Sequence, residues 1–351
     1  MKMNSLLSIG VAICFGLLTA CAPQQPPKTT VDLDELIPAQ PPGALIERGE
    51  LMLERGELVT AENSFREALR LDAQNRRAQL GLAEAALAGG DVSRAAGQLA
   101  SLNPPDDDNA DPMIEARIAH ARSMVALRQD DLSTAEQQLG EALALDPGHW
   151  PSWNTLGVVL DRQNRHPEAQ DAFLRALEIA PGIAAIYNNL GMSLMAVNDH
   201  NGALDAFRQA IIRAPELLTP RTNMRIALAG LGRYDEALAG IPPGQNANVL
   251  NNVGFVALLN GHYGRAESLF VRAMQESPSF HQPSWSNLVY LRGLNRGGEP
   301  APDAQPPLSP LAGRVSASDA SAATAPARIK VERVVRTEPL PLIPDAASTT
   351  D

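Results

Sequence analysis

The 351-residue sequence predicts an all-α fold, a right-handed superhelical solenoid of about seven helix-turn-helix units closed by one capping helix. The first observation is a spacing of 34 residues between Trp153-Asn154-Thr155-Leu156-Gly157 and Tyr187-Asn188-Asn189-Leu190-Gly191. The second and third are an alanine and a helix-ending residue that recur at fixed places in every unit. Regular repeats of this length indicate stacked helix pairs that share a continuous core.

The chain begins with a segment typical of export rather than of a fold. Residues 1–20 carry Lys2, an apolar stretch over Leu6–Leu18 and then small residues, and they predict a lipoprotein signal peptide. The stretch is shorter than the ~20 apolar residues of a transmembrane helix. Leu18-Thr19-Ala20-Cys21 resembles the lipobox of bacterial lipoproteins, which implies lipidation of Cys21 after cleavage. An ordinary secretory leader is the alternative.

The residues that follow the lipobox bear on location. Ala22 stands where lipoproteins retained at the inner membrane carry Asp, so the resemblance implies a lipid-anchored, periplasm-facing outer-membrane protein. Residues 21–41 are rich in proline and predict an extended, semi-rigid tether between Cys21 and the solenoid.

Seven aligned units define the predicted solenoid, residues 42–296. They begin near residues 42, 76, 116, 150, 184, 218 and 247. Only a small side chain permits the helices of one unit to cross closely, and that position is Ala61, Ala95, Ala135, Ala169, Ala203, Ala237 and Ala266. Residue types that tolerate a left-handed C-cap end the first helices, namely Gly56, Gly90, Asp130, Asn164, Asn198, Gly232 and Gly261. The bulky residues of the second helices are Phe65, Leu99, Leu139, Phe173, Phe207, Ile241 and Phe270.

These positions resemble the tetratricopeptide repeat (TPR). Its pattern places an aromatic residue, Leu-Gly, Ala, Phe, Ala and Pro within 34 residues, and the fourth unit matches it with Trp153, Leu156-Gly157, Ala169, Phe173, Ala176 and Pro181. The resemblance implies that each unit is a helix-turn-helix. It covers most of the chain after Cys21.

Three departures from the repeat are visible. Asn103–Asp108 lengthens the second unit and predicts an exposed loop, which lacks the Gly and Glu of an EF-hand. The sixth unit has Arg225 where Gly is usual and is cut short near Pro242-Pro243, since proline ends a helix. An amphipathic segment from Pro283 to about Asn295 predicts the capping helix that an open solenoid end needs.

The C-terminal segment differs in composition from the repeats. Residues 297–351 are rich in Pro, Ala, Ser and Thr and lack a sustained apolar period, so we predict disorder. Within them, Arg328–Arg336 alternates charged and β-branched residues, which favours either strand addition to a partner's sheet or a merely solvated charged run.

Composition and motifs exclude several functions. The net charge of −11 disfavours nucleic acid as a partner. Cys14 and Cys21 are the two cysteines, and neither is free for an internal disulfide after processing. The histidines have no metal-ligand spacing, and we predict turn and surface positions for His120, His149, His166, His200, His262 and His281. No nucleophile or phosphate-loop motif is present, so no enzyme, metal or cofactor is predicted.

Binding of a protein or peptide is the remaining function, because stacked helix pairs form a surface lined by the first helices. Resemblance to TPR proteins implies that asparagines here hold a peptide backbone, whereas the alternative is that Asn is common at these positions. Apolar residues along the same helices predict an adjoining strip for an apolar peptide or helix. The predicted groove residues are Asn154, Val158, Asn188, Asn189, Met192, Met195, Asn223, Asn251, Asn252 and Phe255.

A TPR solenoid on a lipid tether resembles the TadD assembly lipoproteins of the Flp (tight-adherence) pilus. The resemblance implies a secretin or pilus assembly component as partner. A second resemblance is to TPR lipoproteins that organise peptidoglycan enzymes. A periplasmic hydrolase is the alternative hypothesis from another functional class, that of enzymes. These assignments rest on analogy at the level of the fold.

Overall fold

A computed structural model describes residues 40–102, 111–242 and 247–295. The predicted signal peptide, Cys21, most of the tether, the loop Asn103–Asp108 and the segment 297–351 lie outside these residues.

The described residues contain fifteen α-helices and no strand. In chain order they are α1 (Pro42–Glu54), α2 (Leu58–Leu71), α3 (Arg76–Ala88), α4 (Val92–Ala100), α5 (Pro112–Arg128), α6 (Leu132–Leu145), α7 (Trp150–Arg162), α8 (His166–Ile179), α9 (Ala184–Ala196), α10 (His200–Arg213), α11 (Leu218–Gly230), α12 (Tyr234–Ala237), α13 (Ala247–Leu259), α14 (Tyr263–Glu276) and α15 (Gln282–Asn295).

The helices pack in sequence order, as the repeat predicts. Within a unit the first helix contacts the second, and successive first helices also touch. The second helix packs against the first helix of the next unit in every unit except the sixth, whose second helix α12 is a single turn. Seven such pairs and the closing helix α15 confirm the predicted all-α solenoid. No helix in the described ranges is both long enough and apolar enough to span a membrane.

The ends of the first helices follow the predicted C-caps. All seven predicted residues have a positive φ, including the non-glycine residues Asp130 (67°), Asn164 (62°) and Asn198 (62°). At Asn164 the chain closes a Schellman turn, because the N–H of Arg165 donates to the carbonyl of Leu160 at 2.9 Å. This turn satisfies carbonyls that the end of α7 would otherwise leave unpaired.

The contact between the two helices of a unit depends on a pair of residues sixteen positions apart. A Cβ on Gly157 would lie 2.5 Å from Cε1 of the fully buried Phe173. The same Gly–Phe pair occurs as Gly49–Phe65, Gly191–Phe207 and Gly254–Phe270. In two other units a larger residue on the first helix is matched by a smaller one on the second, in the pairs Ala83–Leu99 and Ser123–Leu139. In the sixth unit the prediction is wrong for Ile241, which follows α12 and is only partly buried, because that helix ends at Ala237.

Two elements depart from the regular repeat. Helix α5 begins at Pro112, four residues before the predicted start of its unit, because the side chain of Asp111 caps it by accepting from the N–H of Met113 at 2.9 Å. Helix α12 has only four residues. Arg225 on α11 donates to the carbonyl of Ala237 (2.7 Å), the last residue of the shortened helix, and to that of Ala239 (3.0 Å) just after it.

Candidate partner-binding face

The first-helix face is the surface formed by α1, α3, α5, α7, α9, α11, α13 and α15. Seven of the ten predicted groove residues are buried, and these are Asn154, Val158, Asn188, Asn189, Met195, Asn251 and Phe255. Met192, Asn223 and Asn252 are partly exposed. The structure therefore leaves these three in reach of a partner, and their contact with one stays a prediction.

Most of the predicted asparagines join neighbouring first helices. The Nδ2 of Asn189 on α9 donates to Oδ1 of Asn154 on α7 at 3.0 Å. At the next contact between first helices, which we call a joint, Nδ2 of Asn223 on α11 donates to Oδ1 of Asn188 on α9 at 2.9 Å. We call this series of bonds between first helices the polar ladder. Because both bonds link residues 35 positions apart, the repeat spacing itself aligns their partners.

The polar ladder continues beyond these two joints with other residue types. Towards the N-terminus, Nε2 of His120 on α5 lies 3.1 Å from Oγ1 of Thr155 on α7. Towards the C-terminus, Asn251 on α13 accepts from Nδ2 of Asn287 at 3.0 Å and from Oγ of Ser284 at 3.1 Å. Each of these side chains finds a hydrogen-bond partner across the joint, which offsets the cost of its burial. In the first bond of the ladder, by contrast, Nδ2 of Asn154 and Oδ1 of Asn189 are buried without a partner among the described residues.

The N-terminal part of the face carries ion pairs instead. Glu50 on α1 accepts from Arg77 on α3 and from Nη1 of Arg117 on α5 at 3.0 Å, and Arg117 also pairs with Glu84 at 2.7 Å. Burial opposes ionisation of Glu50, but the hydrogen bonds and charges of the two arginines outweigh it and lower the pKa of Glu50. The charge of Glu84 raises the pKa of Arg117. This network was not predicted from the sequence, although Arg77 and Arg117 occupy the same position of consecutive units.

A Ser–Asp–His arrangement on α7, α8 and α9 does not have the geometry of a catalytic triad. Oγ of Ser193 donates to Oδ1 of Asp161 at 2.7 Å, and Nδ1 of His166 lies 3.0 Å from the same oxygen. Burial raises the pKa of Asp161. In a triad the histidine lies between the nucleophile and the carboxylate, whereas here the carboxylate lies between the other two. The three side chains thus join α7 to its neighbours.

The histidines are of two kinds. Five lie at the starts of helices, next to the predicted turns, and these are His149, His166, His200, His262 and His281. The predicted surface position is wrong for His149, whose ring is largely buried. The prediction is wrong for His120, which lies within α5 and contacts the ring of His149 at 5.2 Å between centroids. Burial lowers the pKa of His149 to about 4 and that of His120 well below its usual value. Among the described residues, no group of three His, Cys, Asp or Glu side chains could hold a metal ion.

Known protein families match most of the repeat region. Models described as tetratricopeptide repeat match residues 52–116, 120–182 and 183–218. The chain is also 28% identical over 148 residues to the putative cellulose synthase operon protein C of Escherichia coli O157:H7. That match covers 42% of this chain but only 11% of the relative's length.

Two solved structures illustrate the similarity of this chain to known proteins at low identity. The Cut9–Hcn1 structure is 18% identical and has a TM-score of 0.48, with 74% of this chain and 44% of that chain covered. The Pseudomonas aeruginosa pilF structure is 18% identical and has a TM-score of 0.42, with 67% of this chain and 90% of that chain covered. The three family matches and the repeated helix pairs agree, and the matched residues between 52 and 218 are tetratricopeptide repeats.

Proposed function

We propose that this protein is a lipid-anchored scaffold of the outer membrane that holds a protein partner on its first-helix face and assists assembly of a pilus or secretion system. The observation that carries the binding role is the polar ladder. Its bonds hold successive first helices at a fixed spacing, so the partly exposed residues between them form a preorganised row. A preorganised surface loses less conformational entropy on binding.

The chemistry of the row favours a particular kind of partner. Met192 offers a flexible apolar side chain and Asn252 an amide that can donate and accept, while Asn223, whose Nδ2 is used in the ladder, adds an amide oxygen that can accept. An extended peptide or a helix with polar and apolar positions matches this combination. Since the charges of Glu50, Arg77, Glu84 and Arg117 are largely satisfied by one another, they favour no strongly charged partner.

The anchor is proposed from sequence. Leu18-Thr19-Ala20-Cys21 supports lipidation of Cys21, and each buried CH₂ of an acyl chain contributes ~0.8 kcal/mol to membrane binding. The absence of Asp at Ala22 supports the outer membrane, and residues 21–41 would hold the repeats away from the lipid.

We propose a pilus or secretion system as the assembly that this scaffold assists, by resemblance to TadD, which combines a lipid anchor with TPRs. A secretin or a pilus component is the partner on this proposal. The alternative is an adaptor that organises peptidoglycan enzymes. Both use the same face, so the identity of the partner distinguishes them.

The test is an affinity purification of the full chain from detergent-solubilised envelopes, with partners identified by mass spectrometry. One variant combines Met192→Glu and Asn252→Glu, which place charge on the partly exposed row. The buried Asn189 is left unchanged, because a carboxylate there would disrupt the joint with Asn154. We expect recovery of a secretin or pilus component with the unmodified chain and its loss with the variant.

A matched control combines Leu174→Glu on α8 and Asn201→Glu on α10, both exposed on second helices. The control should retain the partner. Equal binding by all three proteins, or equal loss with both variants, would refute binding on the first-helix face. Recovery of cell-wall hydrolases in place of pilus components would favour the adaptor.

A further inference from the structure

The last helix has an apolar surface that no described residue covers. Trp285 is 44% exposed and Val289, one turn further along α15, is 38% exposed. Phe280, just before the helix, is 67% exposed, and its ring centroid lies 6.1 Å from that of Trp285. We call these three residues the end patch.

Comparison with the fourth unit explains why the end patch is open. His149-Trp150-Pro151-Ser152-Trp153 and His281-Gln282-Pro283-Ser284-Trp285 share four of five residues, and in both the histidine Nδ1 lies 2.8 Å from the serine Oγ. Helix α15 is thus the first helix of an eighth unit. Val289 aligns with Gly157, which the second helix α8 covers with Phe173. In the part of the chain that the structure describes, α15 has no second helix.

The sequence after α15 cannot supply an ordinary second helix. Five prolines within twelve residues prevent a continuous α-helix and favour polyproline II. They are Pro300, Pro302, Pro306, Pro307 and Pro310. Exposed aromatic surfaces are what proline-rich segments bind elsewhere, because the preformed polyproline II helix loses little entropy on docking.

We propose that residues 300–311 dock on the end patch as a polyproline II segment and close the solenoid in place of the missing helix. Gly297-Gly298 follows α15 and permits the chain to reverse direction. At 1.5 Å per residue, Trp285 lies about 15 Å from the end of α15. A polyproline II segment advances about 3.1 Å per residue, so the six to seven residues from Pro300 to Pro306-Pro307 span about 19–22 Å, which is enough to reach Trp285.

The chain's own segment has an advantage over a partner from solution. A short linker holds a ligand at an effective concentration in the millimolar range, so a weak contact suffices for docking. Docking would also cover the apolar end of the repeat array, and solenoids need such a cap at each end. The proposal is independent of the proposed membrane machine, because it concerns a different surface.

The test uses 19F NMR of the full chain labelled with 5-fluorotryptophan, with Trp285→Phe to assign the signal. The H₂O/D₂O shift of the Trp285 signal measures exposure of its ring. The variant carries Pro306→Ser, Pro307→Ser, Leu308→Ser and Pro310→Ser. We expect its Trp285 shift to rise towards that of free fluorotryptophan, while the signals of Trp150 and Trp153 stay unchanged.

A control of equal composition carries Pro339→Ser, Pro341→Ser, Leu342→Ser and Pro344→Ser, and its Trp285 shift should match that of the unmodified chain. The proposal fails if the first variant leaves the Trp285 shift unchanged. It also fails if the control alone exposes Trp285, which would assign the patch to the later segment. A Trp285 shift that changes with protein concentration would identify a second copy as the occupant and overturn the proposal.

Discussion

Arg225 occupies the position at which four other units carry glycine. Its side chain donates hydrogen bonds to carbonyl groups that a second helix of normal length would satisfy. Helix α12 is a single turn, so the carbonyls of Ala237 and Ala239 lack the partners that a longer helix would provide. The guanidinium of Arg225 donates to both. The departure from the repeat at this residue is therefore tied to the shortening of its own unit.

We predict that Arg225→Gly, which restores the usual repeat residue, destabilises the protein. The change removes charge-assisted hydrogen bonds and adds a glycine to α11, and together these should cost about 1–3 kcal/mol. The melting temperature and hydrogen exchange of α12 measure the effect. Arg225→Ala is the control, because it removes the bonds but keeps a good helix former. An Arg225→Gly protein as stable as the unmodified chain would contradict the assignment.

We predict that the free energy of unfolding decreases in mild acid because of His120 and His149. In the folded state the pKa of His149 is about 4 and that of His120 lies well below its usual value, mainly because burial disfavours the charged ring. Arg117 lowers both pKa values further, and Asp146 partly offsets this for His149. In the unfolded state both rings titrate near pH ~6.5. The unfolded chain therefore binds more protons below that pH, and stability falls as the pH drops from about 6.5 towards 4.

The measurement is the urea midpoint between pH 5 and 7, a range above the ordinary pKa values of carboxylates, about 4. The double variant His120→Gln, His149→Gln should show a smaller decrease across this range than the unmodified chain. An unchanged slope would show that other groups carry the pH dependence.

At the scale of the helix, the two helices of a unit meet at one contact where the sizes of the two facing residues are matched. Gly157 permits the ring of Phe173 to lie against the backbone of α7, and the ring is fully buried. Ala83 with Leu99 is the alternative solution that the second unit uses. The two positions therefore vary together within this one chain, because their summed volume is limited by the helix separation.

We predict that Gly157→Ala destabilises the protein despite the better helix propensity of alanine. The added Cβ would lie 2.5 Å from Phe173, and overpacking of this kind costs typically about 1–3 kcal/mol. Adding Phe173→Leu creates the Ala–Leu pair of the second unit and should recover part of the loss. Thermal denaturation of both single variants and the double variant measures the coupling. Additive effects would show that the two positions are independent.

At the scale of the whole repeat array, buried apolar residues are unevenly distributed. One continuous cluster extends from Met195 on α9 to Leu291 on α15. A smaller cluster from Leu45 on α1 to Ala78 on α3 lies at the other end. Since each unit is stabilised by its neighbours, the size of the adjoining cluster sets how readily a unit opens.

Native-state hydrogen exchange should therefore be faster in α1 than in α13. Helix α1 packs against α2 and α3, whereas α13 lies within the large cluster and contacts α11, α14 and α15. Equal protection of the two helices would show that the array opens as a single cooperative unit and would refute this prediction.

Local patterns determined the helix pairs and their ends before any contact was known. Ala169, Phe173 and Asn164 each satisfy a requirement within one unit, so the 34-residue repeat displays them directly. The hydrogen bonds between the asparagines could not be predicted from the pattern within one unit. Asn154 and Asn189 lie in different units, and whether they face a partner or each other depends on how closely the first helices approach.

The sequence by itself determined the all-α repeat fold, the positions of the left-handed C-caps and the unusual sixth unit, because these depend on steric limits within about 34 residues. Only the tertiary structure decided which side chains are buried between units. It showed that Asn188 holds a joint, that Arg225 caps a shortened helix and that Trp285 is left uncovered by the described residues. Those outcomes arise from contacts between helices, whose distances the repeat pattern does not encode.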